Sequence, residues 1–515
     1  MPIEFNEKFK KSLDVMEKTS HNVFVTGRAG TGKSTLLQHF RATTAKKIAV
    51  LAPTGVAALN VRGQTIHSFF KFRPDITVAK AKDLAKHVKK PVLYRSIEAL
   101  VIDEISMVRA DLLDCMDVFL RTVRGFKNVP FGGVQMIFIG DLYQLPPVIT
   151  GAEKKAFAGS YESPYFFSAH VFVEFQMDFI ELEKIYRQKD QSFINILNSI
   201  RNNTAGDREL DFLNTRCDIN FEPNSQDFYI YLTPTNIEAE NINSIELAKV
   251  SGKQFVNVGI MQGNFGLGSL PTSVDLKLKV EAQVMLLNND NRGRWVNGSV
   301  GKIKKINQNS GREVSEVMVQ FQDGVEYIVE PYTWELFSYK YNVSLRSLET
   351  DVIGSFTQFP LKLAWAVTIH KSQGKTFEKV ILDIGRGSFA HGQTYVALSR
   401  CTSLTGLVLK KPITKKHIFL DWRVVKFVTQ YQYAISEAAL SFDAKKKIIQ
   451  EKIDTNGRLE IIYLKASDEK SKRIIKPLGM GEMEYQGKVF FGLRAFCCER
   501  NEERTFRVDR ILEIL

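Results

Sequence analysis

The sequence predicts an α/β protein of three or four units, in which parallel sheets come first and antiparallel β structure follows. Three observations support this fold class. Short apolar strands alternate with helical segments from residue 1 to about residue 185, as they do in parallel sheets. A glycine-rich loop joins the apolar run Val23–Val25 to the start of a helix. The chain has 515 residues, which is more than a single hydrophobic core usually organises.

The first strand leads into the segment GRAGTGKST at residues 27–35, which has the pattern of a phosphate-binding loop. Glycines let backbone N–H groups close around phosphate oxygens, and the N-terminus of the following helix adds partial positive charge. Lys33 would supply a full charge to the β- and γ-phosphates, and the Ser34 hydroxyl would ligate Mg²⁺. The loop therefore predicts a site for a nucleoside triphosphate and its metal ion.

A second apolar strand ends in two adjacent carboxylates, Asp103 and Glu104. Asp103 would hold Mg²⁺ together with Ser34, and Glu104 would orient or deprotonate the attacking water. Two solvated acids at a strand end are the simpler alternative, but the upstream phosphate loop favours the catalytic interpretation. A third strand, at 135–139, precedes Gln144, whose amide can sense the γ-phosphate and report its loss.

The sequence pattern divides the rest of the chain into further structural units. Pro74, a lysine-rich stretch and Pro91 interrupt the first unit, and the turn signal at Asp323-Gly324 predicts an antiparallel hairpin far downstream. The α/β pattern returns at Val380–Asp383. The predicted organisation is a first unit at 1–185 with an insertion at about 72–95, a second α/β unit at 186–430 with a small barrel at about 301–355, a linker at 431–444, and a β-rich tail at 445–515.

Composition limits the partners. Lys and Arg number 70 against 57 Asp and Glu, which gives a net charge of +13 and favours a polyanion such as nucleic acid. The five cysteines lack metal-binding spacing, so we expect neither a disulfide framework nor a zinc site, and a reducing cytosol fits. No apolar run approaches the roughly 20 residues that span a bilayer, and the start of the chain lacks a signal-peptide pattern.

The second unit carries no phosphate loop, so it can instead supply cations across a cleft. Arg187 and Arg400 are the candidates for arginine fingers, which stabilise charge on a transferring phosphoryl group. Most arginines are only solvated, and position alone does not select these two. If both reach the γ-phosphate, hydrolysis would close and open the cleft and move a bound strand.

Residues 20 to about 420 closely resemble the Pif family of DNA helicases, in branch B of helicase superfamily one and near RecD. The resemblance rests on many motifs in the same order. They are GRAGTGKST at 27–35, APTGVAALNVRGQTIHSFF at 52–70, VIDEISMV at 101–108, PFGGVQ at 130–135, GDLYQLPPV at 140–148, LEKIYRQ at 182–188, LTPTN at 232–236, RWVNGSVG at 294–301, AWAVTIHKSQGKTF at 364–377 and GQTYVALSRCTSL at 392–404.

The resemblance implies two RecA-like domains, a wedge insertion near 72–95, an inserted barrel of the Src-homology-three type, and 5′-to-3′ translocation on single-stranded DNA driven by ATP and Mg²⁺. It also implies a monomeric motor in the bacterial cytosol that acts on forked or structured DNA. Forks, R-loops and G-quadruplexes remain open as preferred substrates. Family members usually carry a Gln before the first strand to read adenine, whereas the first Gln here is Gln38, so adenine specificity is relaxed or uses backbone contacts.

The resemblance also assigns residues by position. The nucleotide set comprises the catalytic residues and the loop around them: Gly27, Gly30, Thr31, Gly32, Lys33, Ser34, Thr35, Asp103, Glu104, Gln144, Arg187, Gly374 and Arg400. The DNA-facing set comprises Thr54, His67, Phe69, Thr235, Asn236, Thr368, His370 and Lys371. Hydroxyls, amides and Lys371 can bind phosphate oxygens without reading bases. His67 and Phe69 could stack on bases, but Phe69 could equally belong to the core, and His67 could bond a neighbouring loop.

The tail from about 445 resembles a WYL domain, through RLEIIY at 458–463, IIKPL at 474–478 and RTFRVDRI at 504–511. Such domains are thought to bind nucleic acid or nucleotide-like ligands, although an ordinary β domain with a solvated basic face is the alternative.

Two other functions are alternatives to a DNA motor for the whole chain. One is a P-loop ATPase that remodels protein or RNA, and the other is a nucleotide kinase, which would not need the motifs around Thr235 and His370.

Overall fold

The computed structural model describes residues 5–149, 157, 159–224, 226–309, 314–385, 390–465, 470–485 and 487–515. Within them the chain forms two compact units, one of residues 1–198 and 206–419 and one of residues 199–205 and 420–515. No helix among the described residues is long and apolar enough to cross a membrane. The five cysteines all lie in the described part and are unpaired there.

The first unit begins with a six-stranded, fully parallel sheet, which defines the first domain. Its strands in chain order are β1 Val23–Gly27, β2 Ile48–Ala52, β3 Gln64–Thr65, β4 Ala99–Ile102, β5 Gln135–Ile139 and β6 Asp178–Leu182. In space they run in the order β3-β2-β4-β5-β1-β6. The strands β1, β4 and β5 are buried along their whole length, as expected for a sheet covered on both faces. The three strands predicted before the phosphate loop, the acidic pair and Gln144 are thereby confirmed.

Helices cover this sheet. They are Glu7–Lys18, Lys33–Thr43, Gly55–Asn60, Ile66–Phe70, Val78–Lys86, Pro91–Ser96 and Ala110–Arg124. The segment predicted as an insertion at 72–95 holds two of them. The helix Val78–Lys86 buries Ala81 and Ala85 and packs on the helix Ala110–Arg124. The helix Pro91–Ser96 starts with Pro91 in its first turn, where a missing N–H costs no hydrogen bond.

A four-stranded parallel sheet defines the second domain, with the order β18-β7-β19-β20. Its strands are β7 Ile230–Thr233, β18 Ala366–Thr368, β19 Val380–Leu382 and β20 Leu407–Leu409. Its helices are Asp207–Asn214, Asn236–Lys249 and Gln393–Leu398, while the helix Gln191–Arg201 precedes them in the chain. The α/β pattern predicted to return at 380–383 is confirmed by β19 within one residue.

Antiparallel strands are inserted between β7 and β18. They are β8 Phe255–Val258, β9 Ile260–Gly263, β10 Asp275–Leu278, β11 Gln283–Leu286, β12 Val300–Gln308, β13 Val314–Phe321, β14 Glu326–Val329, β15 Tyr332–Asn342, β16 Ser347–Gln358 and β17 Leu361–Leu363. The barrel expected at about 301–355 does not match one sheet. β12 to β14 join β11 and β17, whereas the long hairpin β15–β16 joins β9. Apolar side chains such as Val284, Ile303 and Val319 fill one core that recruits strands from outside the predicted range.

The second compact unit contains two helices, Trp422–Ala439 and Phe442–Asp454, and the strands β21 Leu459–Leu464, β22 Lys470–Tyr485, β23 Lys488–Cys497, β24 Glu502–Arg507 and β25 Ile511–Ile514. The strands form an antiparallel sheet in the order β24-β23-β22-β21-β25. The linker predicted at 431–444 is wrong, because both helices run through it. Buried Val424, Phe427 and Val428 recur at helical spacing just before it, and the buried face of the helix continues through the polar residues Gln432 and Ser436.

Candidate ATP site and nucleic-acid cleft

The phosphate loop has the backbone that its glycines predict. Gly27, Gly30 and Gly32 have φ values of 153°, 80° and 90°, which other residues rarely adopt. The Lys33 ammonium donates to the carbonyl oxygens of Gly27 at 2.6 Å and Arg28 at 3.1 Å. The Lys33 side chain thus lies across the cradle, and the loop is preformed around the place where phosphates would bind.

The acidic pair lies at the end of β4, partly buried beside this lysine. Loss of water, and secondly the charge of Glu104, raise the pKa of Asp103 to about 7, while Lys33 opposes the shift. Burial likewise raises the pKa of Glu104, against the influence of Lys33 and Arg400. Glu104 also has a left-handed backbone, with φ of 50°. Two desolvated carboxylates beside a hydroxyl-bearing residue, Ser34, are oxygen donors that fit a hard divalent cation.

Arg187 lies against the phosphate loop. A Cβ atom added to Gly30 would come within 2.5 Å of the Arg187 Cβ, so only glycine fits there. The Arg187 guanidinium donates to the Ser399 carbonyl at 3.2 Å and the Gly374 carbonyl at 3.4 Å, both in the second domain. Burial lowers the pKa of Arg187. Arg187 therefore connects the loop of the first domain to the two motifs of the second.

Arg400 is 1% exposed and is held by its own domain. Its guanidinium donates to the main-chain carbonyls of Val396 at 2.9 Å and Lys375 at 3.2 Å, and to the Ser399 hydroxyl at 2.8 Å. Burial and the nearby Arg187 lower the pKa of Arg400 to about 9, and Glu104 opposes this. Two guanidinium groups with little solvent, facing two carboxylates, form a site that a highly charged anion would stabilise.

Gln144 lies between the two domains. Its amide nitrogen donates to an Asp141 carboxylate oxygen at 3.1 Å, and its oxygen accepts from the Gln373 amide at 3.4 Å. The adjoining loop is fixed by the His391 ring, whose Nε2 lies 2.8 Å from the Leu142 carbonyl. The glutamine that was predicted to sense phosphate therefore touches a loop of the second domain directly.

Tyr395 is a residue of this site that sequence reasoning missed. Its hydroxyl accepts a hydrogen bond from the Ala29 N–H of the phosphate loop, at 3.0 Å, although the two residues are 366 positions apart. Its side chain is 4% exposed and influences the pKa of both Arg187 and Arg400. The motif around it was visible in the sequence, but no local signal pointed to the hydroxyl.

We expect Tyr395→Phe to lower the ATPase kcat about tenfold, which corresponds to about 1.4 kcal/mol for one buried hydrogen bond. The loop would lose one fixed contact to the helix that precedes Arg400. Steady-state hydrolysis with single-stranded DNA measures this. Tyr94→Phe is the matched control, because the buried Tyr94 hydroxyl donates to the Phe69 carbonyl at 2.8 Å away from the loop. An equal kcat in the two variants would contradict the assignment.

A cleft of about 790 Å³ lies within the first unit and is lined by residues of both parallel-sheet domains and of the inserted antiparallel strands. Five residues of the predicted DNA-facing set line it: Thr54, Asn236, Thr368, His370 and Lys371. The lining also includes Gln373, the partner of Gln144, so that the cleft and the nucleotide site share one loop. Hydroxyl, amide and ammonium groups on both walls suit the sugar–phosphate backbone of a single strand.

Three predicted DNA-facing residues lie elsewhere. Phe69 is 2% exposed and packs edge-on against Phe70, Tyr94 and Tyr339, so the prediction that it stacks on bases is wrong. His67 is partly buried outside the cleft lining, and burial together with Arg109 lowers its pKa. The Thr235 hydroxyl accepts the Glu238 N–H and caps the helix that begins at Asn236.

Comparisons with known proteins agree with this geometry. The ATP-dependent DNA helicase Pif1 of Bdellovibrio bacteriovorus is 32% identical over 84% of this chain and 93% of its own length. The chain belongs to the Pif1 family of ATP-dependent DNA helicases. The model of PIF1-like helicases matches residues 4–210 of it, and the model of WYL domains matches residues 446–514. Both resemblances noted in the sequence are thereby confirmed.

Solved Pif1 structures superpose on this helicase with different TM-scores. The crystal structure of Bacteroides Pif1 with ADP-AlF4 superposes with a TM-score of 0.74, at 36% identity over 84% of this chain and 98% of that one. Bacteroides Pif1 bound to single-stranded DNA gives only 0.57 at the same identity and coverage.

Proposed function

We propose that this helicase uses Mg²⁺-ATP to move 5′-to-3′ along single-stranded DNA and thereby unwinds forked or structured duplexes, with one chain sufficient as the motor. The observation that carries this proposal is the contact between Gln144 and Gln373. Gln144 belongs to the nucleotide site, and Gln373 lines the cleft that would hold the strand. A change at the γ-phosphate can therefore reach the DNA without passing through the rest of the fold.

The assigned roles follow from position. The backbone of 27–35 and Lys33 would hold the phosphates, while Ser34 and Asp103 would ligate Mg²⁺, which neutralises charge on the β- and γ-phosphate oxygens. Glu104 would activate the attacking water, because a carboxylate with a raised pKa accepts a proton more readily. Arg187 and Arg400 would stabilise the transition state from the second wall of the site.

Tyr186 offers an aromatic face for the nucleobase. It is exposed, its N–H donates to the Gly30 carbonyl at 2.8 Å, and its hydroxyl accepts from the Asn6 amide at 3.3 Å. Stacking on an aromatic ring does not select between bases. Such a contact agrees with the lack of a glutamine before β1, and it predicts that guanosine triphosphate also supports activity.

Unwinding of forked DNA with a single tail tests the direction of movement. We expect strand separation with ATP, Mg²⁺ and a 5′ tail, and none with only a 3′ tail. The same duplex with an RNA tail separates a DNA motor from an RNA motor, and ATP turnover that ignores all strands would indicate a kinase or another ATPase. Equal unwinding from a 3′ tail would overturn the proposed polarity.

A further inference from the structure

Three lysines converge on the floor of the cleft. Lys362 lies in β17, opposite Met285 of β11, while Lys371 and Lys375 lie in the loop that follows β18. All three line the cleft together with Thr368 and His370. Neither the phosphate-loop pattern nor the family motifs pointed to Lys362, which precedes the motif at 364–377.

These cations have no paired carboxylate. Among the described residues, Lys362 and Lys371 form no ion pair, and the Lys375 ammonium contacts only the amide oxygen of Asn297. Burial, and then repulsion by Lys375 and Lys371, lower the pKa of Lys362 to about 7, and burial lowers that of Lys375 to about 8. Like charges held close together without a counter-charge repel one another, so this arrangement favours a bound anion.

Other charged groups also face the cleft. Its walls carry the carboxylates of Glu104, Glu240 and Asp275, together with Lys277 and His370. None of the carboxylates is among the groups that influence Lys362, and burial lowers the pKa of His370 below its ordinary value of 6.5. In the alkaline range Lys362 and Lys375 are therefore the groups whose protonation would change when a strand binds.

We propose that Lys362, with Lys371 and Lys375, forms a phosphate-binding cluster for the translocating strand, and that Lys362 and Lys375 take up protons as the strand binds. The inference rests on the proposed function, since it names the residues that would hold the DNA backbone. A phosphodiester is an anion at every physiological pH, so it supplies the counter-charge that the cluster lacks. Proton uptake then couples affinity to pH: binding weakens as pH rises and Lys362 and Lys375 lose their protons in the DNA-free protein.

Binding of a short fluorescent oligothymidylate, followed by anisotropy from about pH 7.5 to about pH 9 at constant salt, tests the proposal. A group that takes up one proton costs close to tenfold in affinity per pH unit. We expect the wild-type affinity to fall at least about tenfold across this range. Calorimetry in two buffers of different ionisation enthalpy should give different heats at the alkaline end, since the buffer supplies the proton.

Two variants assign the effect to Lys362. Lys362→Met should bind about tenfold more weakly at the lower pH and lose affinity less steeply, because the charge and its titration are both gone. Lys362→Arg should bind well at both pH values with the same shallow dependence, because a guanidinium keeps its proton. Lys305→Met is the control, since Lys305 is exposed on β12 and should leave affinity unchanged. Thermal melting verifies that each variant is folded.

The possible outcomes are distinct. The proposed cluster is wrong, and the helicase function stands, if wild type binds the oligothymidylate and Lys362→Met has the same affinity at each pH. The same conclusion follows if the affinity of Lys362→Arg depends on pH as steeply as that of wild type. If folded wild-type protein binds no single-stranded DNA under any of these conditions, the proposed function fails first.

Discussion

Lys33→Ala is expected to abolish ATP hydrolysis while DNA affinity stays within a few fold. The Lys33 ammonium donates to the Gly27 and Arg28 carbonyls of the phosphate loop. Its positive charge also opposes the rise that burial causes in the pKa of Asp103 and Glu104. Without it, the bound phosphates lose a full positive charge and the acids lose their nearest cation. The residues proposed to hold DNA line a cleft that does not include Lys33.

Single-strand-stimulated ATPase assays and anisotropy binding measure the two effects separately. Lys10→Ala is a suitable control, because Lys10 is exposed on the helix Glu7–Lys18 and should change neither quantity. Turnover near the wild-type rate in Lys33→Ala would show that the phosphate loop is not the hydrolytic site. A parallel loss of DNA binding would instead indicate that the first domain is misfolded.

Substitution of either arginine should cut kcat by roughly 10³ while nucleotide affinity changes little, as expected for groups that act on the transition state. Arg187→Ala removes the guanidinium that donates to the Ser399 and Gly374 carbonyls, and Arg400→Lys keeps a charge but not the forked geometry. Turnover is measured with single-stranded DNA, and affinity with a fluorescent ATP analogue. Equal losses of kcat and affinity would indicate ground-state binding instead.

Arg400 also has a structural role, so its variant needs a matched control. Arg400 donates to several main-chain carbonyls of its own domain, and any substitution is expected to lower the melting temperature. Arg216 has the same kind of contacts, donating to the Leu407 carbonyl at 3.0 Å and the Thr405 carbonyl at 2.9 Å. Arg216→Lys should therefore reproduce the loss of stability but not the loss of kcat. If Arg216→Lys slows hydrolysis as much as Arg400→Lys does, Arg400 acts only by stabilising the fold.

The contact between Gln144 and Gln373 links the candidate nucleotide site to the cleft, and these predictions concern residues on both sides of it. The loop of residues 369–375 touches Arg187 and Arg400 through its carbonyls and lines the cleft with His370 and Lys371. Loss of the γ-phosphate would remove the counter-charge of both arginines at once. If the loop were then released, ATP hydrolysis would directly lower the affinity for the bound strand.

The sequence by itself determined the phosphate loop and the strands that carry the nearby polar residues. A short apolar strand, a glycine-rich loop and a helix are specified by neighbouring residues, so the phosphate loop, the strand before Asp103 and the strand before Gln144 could each be predicted from a few consecutive positions. The same holds for the motifs that identified the helicase family. The helix that occupies the predicted linker at 431–444 also has a local origin, because its apolar buried residues recur at helical spacing just before this range.

Only the tertiary structure decided which side chains meet. Phe69 is core because Tyr94 and Tyr339, distant along the chain, enclose it. The Tyr395 hydroxyl of the second domain bonds Ala29 of the first, and Lys362 of β17 lines the same cleft as Lys371 and Lys375. Burial, counter-charge and cleft formation depend on atoms from several elements at once. A motif fixes the chemistry of a residue, but the packing of remote segments determines whether solvent, protein or DNA occupies the space around it.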